Sequence, residues 1–241
     1  MQNKISLFIK ALVLTSTAFT APLYAAESND NKTNEETVVT EKEPVITNTK
    51  NQEDPTKIVT KIGVGYNGEL TFSGSLALSQ TNKINGSVNS DGDEWTLGGS
   101  WLFSKGIVNF NLDVDSYRTS FSVGTFVPLS ALGVDTGEWL LFPLAGLSST
   151  QGERDQNNVK PDKTYGGYAG MFVLRPINDD FTIIGWGIGG LGSNDFSSTG
   201  VGGGISYKID LHQSVNAVAF YSDDIYRTDT TYGLNYRFEF N

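Results

Sequence analysis

The chain has 241 residues, a formal net charge of -10, one His and no Cys. The missing Cys excludes disulfides and thiolate chemistry, and a single His excludes a metal site that needs two imidazoles from this chain. The acidic charge argues against a nucleic-acid partner, which needs a basic face.

Residues 1–26 predict a secretory signal peptide. Lys4 and Lys10 charge its beginning, an apolar stretch follows over 11–21, and two alanines at its end suit cleavage. The apolar stretch is short for an anchor helix, which needs ~20 residues. We therefore expect an exported protein whose mature chain starts near residue 27.

Residues 27–56 predict a disordered polar linker. They hold eight acidic residues, three lysines and no aromatic residue. Such a stretch cannot bury enough apolar area to offset the entropy lost on ordering. A strand between Glu36 and Thr49 is the alternative.

Residues 57–241 show the period-two alternation that is typical of β-strands. One face of the pattern is rich in aromatic residues, and the other holds Gly, Ser, Asn and charges of both signs. A soluble sandwich turns its apolar face inward, whereas an outer-membrane barrel turns it to the lipid and keeps a polar interior. Together with the signal peptide, this favours an all-β fold, an antiparallel transmembrane β-barrel over 57–241.

The strand count depends on parity. The alternation marks eleven segments, near 57–66, 69–80, 94–104, 107–116, 118–129, 138–149, 164–175, 180–191, 199–210, 213–222 and 229–240. A barrel with both ends on one side of the membrane needs an even number. A two-residue turn at Asn67-Gly68 would send Leu70 inward, so we predict one long strand there and ten strands in total. Twelve strands, from a linker strand or a three-residue turn at 67–69, or eight are the alternatives.

The connections predict an orientation. Short turns near 104–106, 176–179 and 210–213 suit the periplasmic side. The longer polar loops then face outward, and they lie at 81–93, 150–163, 192–198 and 223–228.

The last strand carries a recognisable pattern, with Tyr232, Leu234, Tyr236, Phe238 and Phe240 at alternate positions. It resembles the C-terminal strand signature of Gram-negative outer-membrane β-barrel proteins, and within that class the chain resembles the small porin-like barrels. The resemblance implies a place in the bacterial outer membrane, in contact with its lipid and lipopolysaccharide. It also implies periplasmic chaperones and the barrel-assembly machinery, which reads the signature, as partners during biogenesis.

Seven charged residues fall on strand phases that face inward: Asp113, Asp115 and Arg118 toward the outer end, and Lys208, Asp210, Arg237 and Glu239 toward the periplasmic end. The interior of a ten-stranded barrel is little wider than that of an eight-stranded barrel, which side chains fill. We therefore predict a narrow lumen plugged by charge pairs among these residues. The polar lining of a narrow pore is the alternative.

Two short motifs suggest chemistry that their surroundings do not support. Residues 187–192 match a dinucleotide-binding glycine pattern, but no helix follows to hold a pyrophosphate. His212 and Ser214 resemble the His-x-Ser spacing of outer-membrane lipid A deacylases, yet His212 falls in a predicted periplasmic turn. We expect no catalytic residue, cofactor or metal.

The sequence thus predicts an integral outer-membrane barrel with a porin-like or structural envelope role. One alternative is a surface-binding protein, an adhesin or receptor, acting through loops 81–93 and 150–163. The other is an outer-membrane hydrolase that uses His212.

Overall fold

The computed structural model describes residues 50–153 and 161–240, where twelve strands close into one antiparallel barrel. The strands are β1 Lys61–Tyr66, β2 Leu70–Ala77, β3 Asn82–Asn89, β4 Trp95–Phe103, β5 Gly106–Val114, β6 Arg118–Phe126, β7 Leu140–Gly152, β8 Thr164–Pro176, β9 Phe181–Gly192, β10 Ser197–Lys208, β11 Gln213–Asp224 and β12 Thr228–Glu239. The predicted signal peptide, residues 27–49 of the predicted linker and residues 154–160 of the predicted 150–163 loop lie outside these ranges. No helix among the described residues is long and apolar enough to cross a membrane.

The prediction of ten strands is wrong, and one of its two errors lies between β1 and β2. A three-residue turn at 67–69 separates these strands, with Tyr66 paired with Leu70 across it. Gly68 has a φ of 108°, a left-handed conformation that glycine adopts without strain. A turn of three residues leaves Tyr66 and Leu70 on the same outer face, so the apolar phase continues through the hairpin.

The other error concerns β3, which lies within the segment predicted as a loop over 81–93. Its sequence, NKINGSVN, has Ile84 and Val88 as its only apolar residues. It is held by its neighbours, since Ile84 pairs with Leu76 on β2 and with Gly99 on β4. The connection that remains, 90–94, is short.

The outer face of the barrel is an apolar belt. Across the seam that closes the barrel, Ile62 pairs with Phe238 and Val64 with Tyr236, and their side chains face outward. Large exposed apolar side chains cover most of the other strands as well. A closed barrel satisfies its backbone hydrogen bonds internally, and an apolar outer face suits lipid.

The two ends of the barrel differ in their connections. We call the end where β1 begins at Lys61 and β12 ends at Glu239 the proximal end, and the other the distal end. The longest proximal connection, 127–139, contains a short 3-10 helix, Leu129–Leu132. Next to it, Val127 N donates to Pro143 O at 3.1 Å, just past the end of β6. The missing N–H of Pro143 therefore falls where the β6–β7 ladder ends.

Candidate functional site in the barrel lumen

A stretch of chain before β1 crosses the proximal end of the lumen. We call it the proximal segment, residues 50–60. Lys83 Nζ on β3 donates to the Lys57 carbonyl at 2.7 Å, and Asn51 Nδ2 donates to Thr182 Oγ1 on β9 at 3.0 Å. Since β3 and β9 lie six strands apart in the ring of twelve, the segment bridges opposite walls of the barrel.

Glu53 anchors the proximal segment to three strands. Its carboxylate lies 2.5 Å from Arg237 Nη1 on β12, and it accepts hydrogen bonds of 3.1 Å from Ser206 Oγ on β10 and Asn216 Nδ2 on β11. The side chain is only 5% exposed. Burial raises the pKa of Glu53, but Arg237, Lys61 and the two hydrogen bonds outweigh burial and lower the pKa below its usual value. Glu53 is therefore ionised at neutral pH.

A second ion pair reinforces this anchor. Lys57 Nζ lies 2.5 Å from Glu239 Oε2, with both side chains largely buried. Between the two pairs, Thr56 is 1% exposed and donates from Oγ1 to Asp54 Oδ1 at 2.6 Å, which holds a tight turn. The segment is thus fixed by charge pairs at both ends of a compact turn.

A cavity of about 390 Å³ lies beside the proximal segment, next to Pro55 and the wall formed by β1 to β6. Lys61, Lys83 and Arg237 line it, and no acidic residue does so among the residues that the structure describes. The remaining polar lining consists of amides and hydroxyls, including Asn85, Ser87, Thr96, Asn109 and Asn111. The cavity is therefore positively charged and rich in hydrogen-bonding groups.

The opposite wall of the lumen is filled by apolar side chains. Phe142, Leu174 and Ile184 are buried there, with Phe126, Leu140, Phe172 and Trp186 packed against them. Trp186 also stacks on Phe220 at 5.9 Å between ring centroids, and it covers Gly202, where a Cβ would overlap the indole ring. Because these apolar side chains fill one side of the lumen, the cavity lies against the polar wall formed by β1 to β6.

At the distal end, side chains cross the lumen. Arg118 on β6 pairs with Asp224 on β11, five strands away, and lies 3.6 Å from Asp115. Arg227 pairs with Asp229 at 2.7 Å and lies over the Tyr117 ring at 5.0 Å. A cavity of about 340 Å³ lies among these residues. Within the described ranges, side chains narrow the distal mouth and no backbone segment crosses it.

The seven charges predicted to plug the lumen are split between the two ends. Arg118 and Asp115 meet at the distal end, and Asp113 accepts a hydrogen bond of 2.9 Å from Thr96 Oγ1. Arg237 and Glu239 pair with Glu53 and Lys57 instead of with each other.

Lys208 and Asp210 also lie at the proximal end, but neither side chain joins these ion pairs. The Asp210 carbonyl accepts a hydrogen bond of 3.0 Å from Gln52 Nε2 of the proximal segment. Asp210 is in the turn after β10, where it accepts hydrogen bonds from His212 N and Gln213 Nε2. Lys208 forms no ion pair with any other described residue.

Four lumen residues are not among those predicted from the sequence: Glu53, Lys57, Lys61 and Lys83. The outward phase of Ile62 and Val64 predicts that Lys61 faces inward, so the same argument could have found it. Lys83 was hidden because β3 was taken for a loop. No local signal marks Glu53, because its partner Arg237 lies 184 residues away.

The aromatic pattern of β12 faces outward, as its phase predicts, with Tyr232, Leu234, Tyr236, Phe238 and Phe240 on the outer side of the strand. The His212 ring stacks on Phe238 at 6.3 Å, whereas Ser214 is buried in the lumen wall. His212 thus contacts a residue of the outward-facing aromatic pattern, whereas Ser214 is part of the lumen wall. The glycines of 187–192 lie within β9 and form part of its wall.

Comparison with known proteins gives a fold and no family. No protein-family model matches the sequence, and no curated protein matches it. Among solved structures, the NanC porin superposes with a TM-score of 0.51 at 13% identity, over 75% of this chain and 100% of that chain. The fold is that of a porin-like outer-membrane β-barrel. This porin-like barrel and its apolar outer belt place the protein in the bacterial outer membrane.

Two further outer-membrane proteins match with lower TM-scores. A structure described as "KdgM porin in complex with disordered oligogalacturonate" gives a TM-score of 0.48 at 12% identity, over 76% of this chain and 100% of that chain. The translocator domain of autotransporter NalP from Neisseria meningitidis gives 0.48 at 9% identity, over 75% and 85%.

Proposed function

We propose that this protein is a porin-like channel of the outer membrane that the proximal segment closes. The observation that carries the proposal is the position of Glu53, which is buried inside the lumen and bound to β10, β11 and β12 at once. A segment held in this way occupies space that a solute would need.

The width and lining of the barrel support a channel. Barrel diameter grows with strand number, so twelve strands enclose a wider interior than the eight-stranded barrels that side chains fill. Polar side chains line the open part of the lumen, and cavities are present at both ends. A polar lumen of this kind is typical of barrels that carry water and solutes.

The loops give less support to a surface-binding protein. Most of the segment predicted as the 81–93 loop is strand β3, so only 90–94 extends beyond the barrel wall there. In the 150–163 loop, residues 154–160 lie outside the described residues. We therefore prefer a channel to an adhesin or receptor.

Deleting the closing residues tests the proposal. A variant that lacks residues 50–56 should conduct steadily in planar lipid bilayers, whereas the full chain should conduct weakly or in brief openings. A matched deletion of seven linker residues, 34–40, should behave as the full chain does, because it leaves Glu53 and Lys57 in place.

Two results would contradict the proposal. The folding of the variant without 50–56 can be judged from its strand content and from the change of its electrophoretic mobility on heating. If this variant folds but never conducts, the protein is not a channel. If the full chain already conducts at the level of that variant, the proximal segment does not close it.

A further inference from the structure

The charges of the proximal lumen do not balance. Arg237 and Lys57 each have an acidic partner, whereas Lys61 and Lys83 form no ion pair within the described ranges. Both lysines line the cavity of about 390 Å³, in which no described acidic residue takes part. A charge removed from bulk water is costly unless it is paired or solvated. The cavity therefore holds an excess of positive charge that an anion would neutralise.

The lining suits an oxyanion. The Arg237 guanidinium offers several N–H donors in a planar arrangement that matches carboxylate, phosphate or sulfate oxygens. Amide and hydroxyl groups, among them Asn109 and Asn111, surround the three cations and can donate further hydrogen bonds. The cavity volume is large enough for a small oxyanion together with water.

The same cations hold the proximal segment. Arg237 binds Glu53, and Lys83 Nζ donates to the Lys57 carbonyl at 2.7 Å. An anion in the cavity would draw both cations toward itself and repel the Glu53 carboxylate. The Glu53 carboxylate already binds the Arg237 guanidinium as an oxyanion would. An anionic ligand would therefore compete with Glu53 for Arg237.

We propose that Lys61, Lys83 and Arg237 form a binding site for a small, freely diffusing oxyanion, and that binding there releases the proximal segment by competition with Glu53. This inference rests on the proposed function, because the ligand is an anionic solute inside the channel lumen. Such a solute would open the path that it enters.

Single-cysteine labelling tests the release without relying on conduction. The chain has no Cys, so Thr56→Cys places one thiol at a position that is 1% exposed. Its reaction with a water-soluble maleimide, in detergent micelles at constant ionic strength, should be faster in sulfate than in chloride. If sulfate binds only the released form, a concentration about ten times its Kd should raise the rate roughly tenfold.

Matched lysine variants locate the site. Lys61→Gln and Lys83→Gln, each combined with Thr56→Cys, should reduce the ratio of the sulfate rate to the chloride rate. Lys105→Gln is the control, since Lys105 is an exposed lysine in the β4–β5 turn outside the cavity. A cysteine at Thr164, which is buried near the distal end, should label equally in both salts.

The Cys-free wild type provides a second measurement, because sulfate should speed tryptic cleavage after Lys57.

The possible outcomes separate the two proposals. Equal or slower labelling in sulfate, or an effect that Lys105→Gln removes as much as Lys61→Gln does, overturns the anion site. An effect seen only after lipopolysaccharide is added assigns the site to a lipid phosphate and overturns the free anion. A sulfate effect on labelling in a barrel that never conducts supports the anion site but contradicts the channel. Conduction by the deletion variant without any sulfate effect does the reverse.

Discussion

Within the part of the chain that the structure describes, a backbone segment crosses the lumen at the proximal end and side chains cross it at the distal end. At the proximal end, Arg237 and Glu239 bind Glu53 and Lys57, which lie 184 and 182 residues away in the chain. At the distal end, Arg118 and Asp224 belong to the barrel strands themselves. The proximal pairs hold a separate piece of backbone, so breaking them can free that piece while the barrel stays intact. Breaking the distal pair frees only the side chains of Arg118 and Asp224.

The largest difference should follow from removing one arginine at each end. Arg237→Ala leaves the buried Glu53 carboxylate without its ion partner, which costs about 1–3 kcal/mol, so the closed form should lose roughly tenfold in population. Conductance in planar bilayers should rise, and Thr56→Cys should label faster. Arg118→Ala should change the conductance slightly and leave the labelling rate unchanged. Equal effects of the two variants on labelling would remove the distinction between the two ends.

Acid should open the proximal end. The folded-state pKa of Glu53 lies below its usual value of 4.5, so its stabilising charge is fully present above that pH and is lost as the pH falls through the folded value. Conductance and Thr56→Cys labelling should therefore stay constant from neutral pH to about 4.5 and rise below it.

Two variants check the assignment of the acid effect. Glu53→Gln should already be open at neutral pH and should lose most of the pH dependence. An unchanged pH profile in Glu53→Gln would assign the effect to another group.

A third prediction concerns the outer face of β12, the strand whose inner face carries Arg237 and Glu239. Phe240 faces outward and packs edge-on against Phe238 at 5.0 Å. If the aromatic pattern acts as an assembly signal, Phe240→Ala should lower the yield of inserted barrel in cells more than Asn241→Ala does, without changing the conductance of the molecules that insert. Equal yields would argue against an assembly signal at Phe240.

The smallest effect is expected for Arg227, whose side chain is 40% exposed at the distal mouth. Its ion pairs with Asp229 and Glu94 are open to water, and exposed pairs contribute about 0.2–1 kcal/mol. Arg227→Ala should lower the thermal midpoint of the barrel slightly and leave both closure and acid response intact. A large rise in conductance would show that the distal mouth limits the channel.

The sequence predicts correctly those properties that belong to a single strand. In β12, alternation alone predicts that Tyr236 faces the lipid and Arg237 the lumen, and the structure confirms both directions. The prediction failed for β3, which has few apolar residues. This strand forms because its neighbours β2 and β4 supply its hydrogen-bond partners. Without β3 the predicted count was eleven, which is odd. Joining β1 and β2 made it ten, whereas adding β3 would have given the observed twelve.

The sequence by itself determined the class of the fold and the face that each of the clearest strands turns to lipid, because both follow from period-two alternation within a few consecutive residues. Only the tertiary structure decided that the barrel has twelve strands and that Arg237 and Glu239 bind the residues before β1. Strand number depends on how the sheet closes on itself. The partner of a lumen charge depends on which distant chain segment shares the same enclosed space, and no local pattern records that distance.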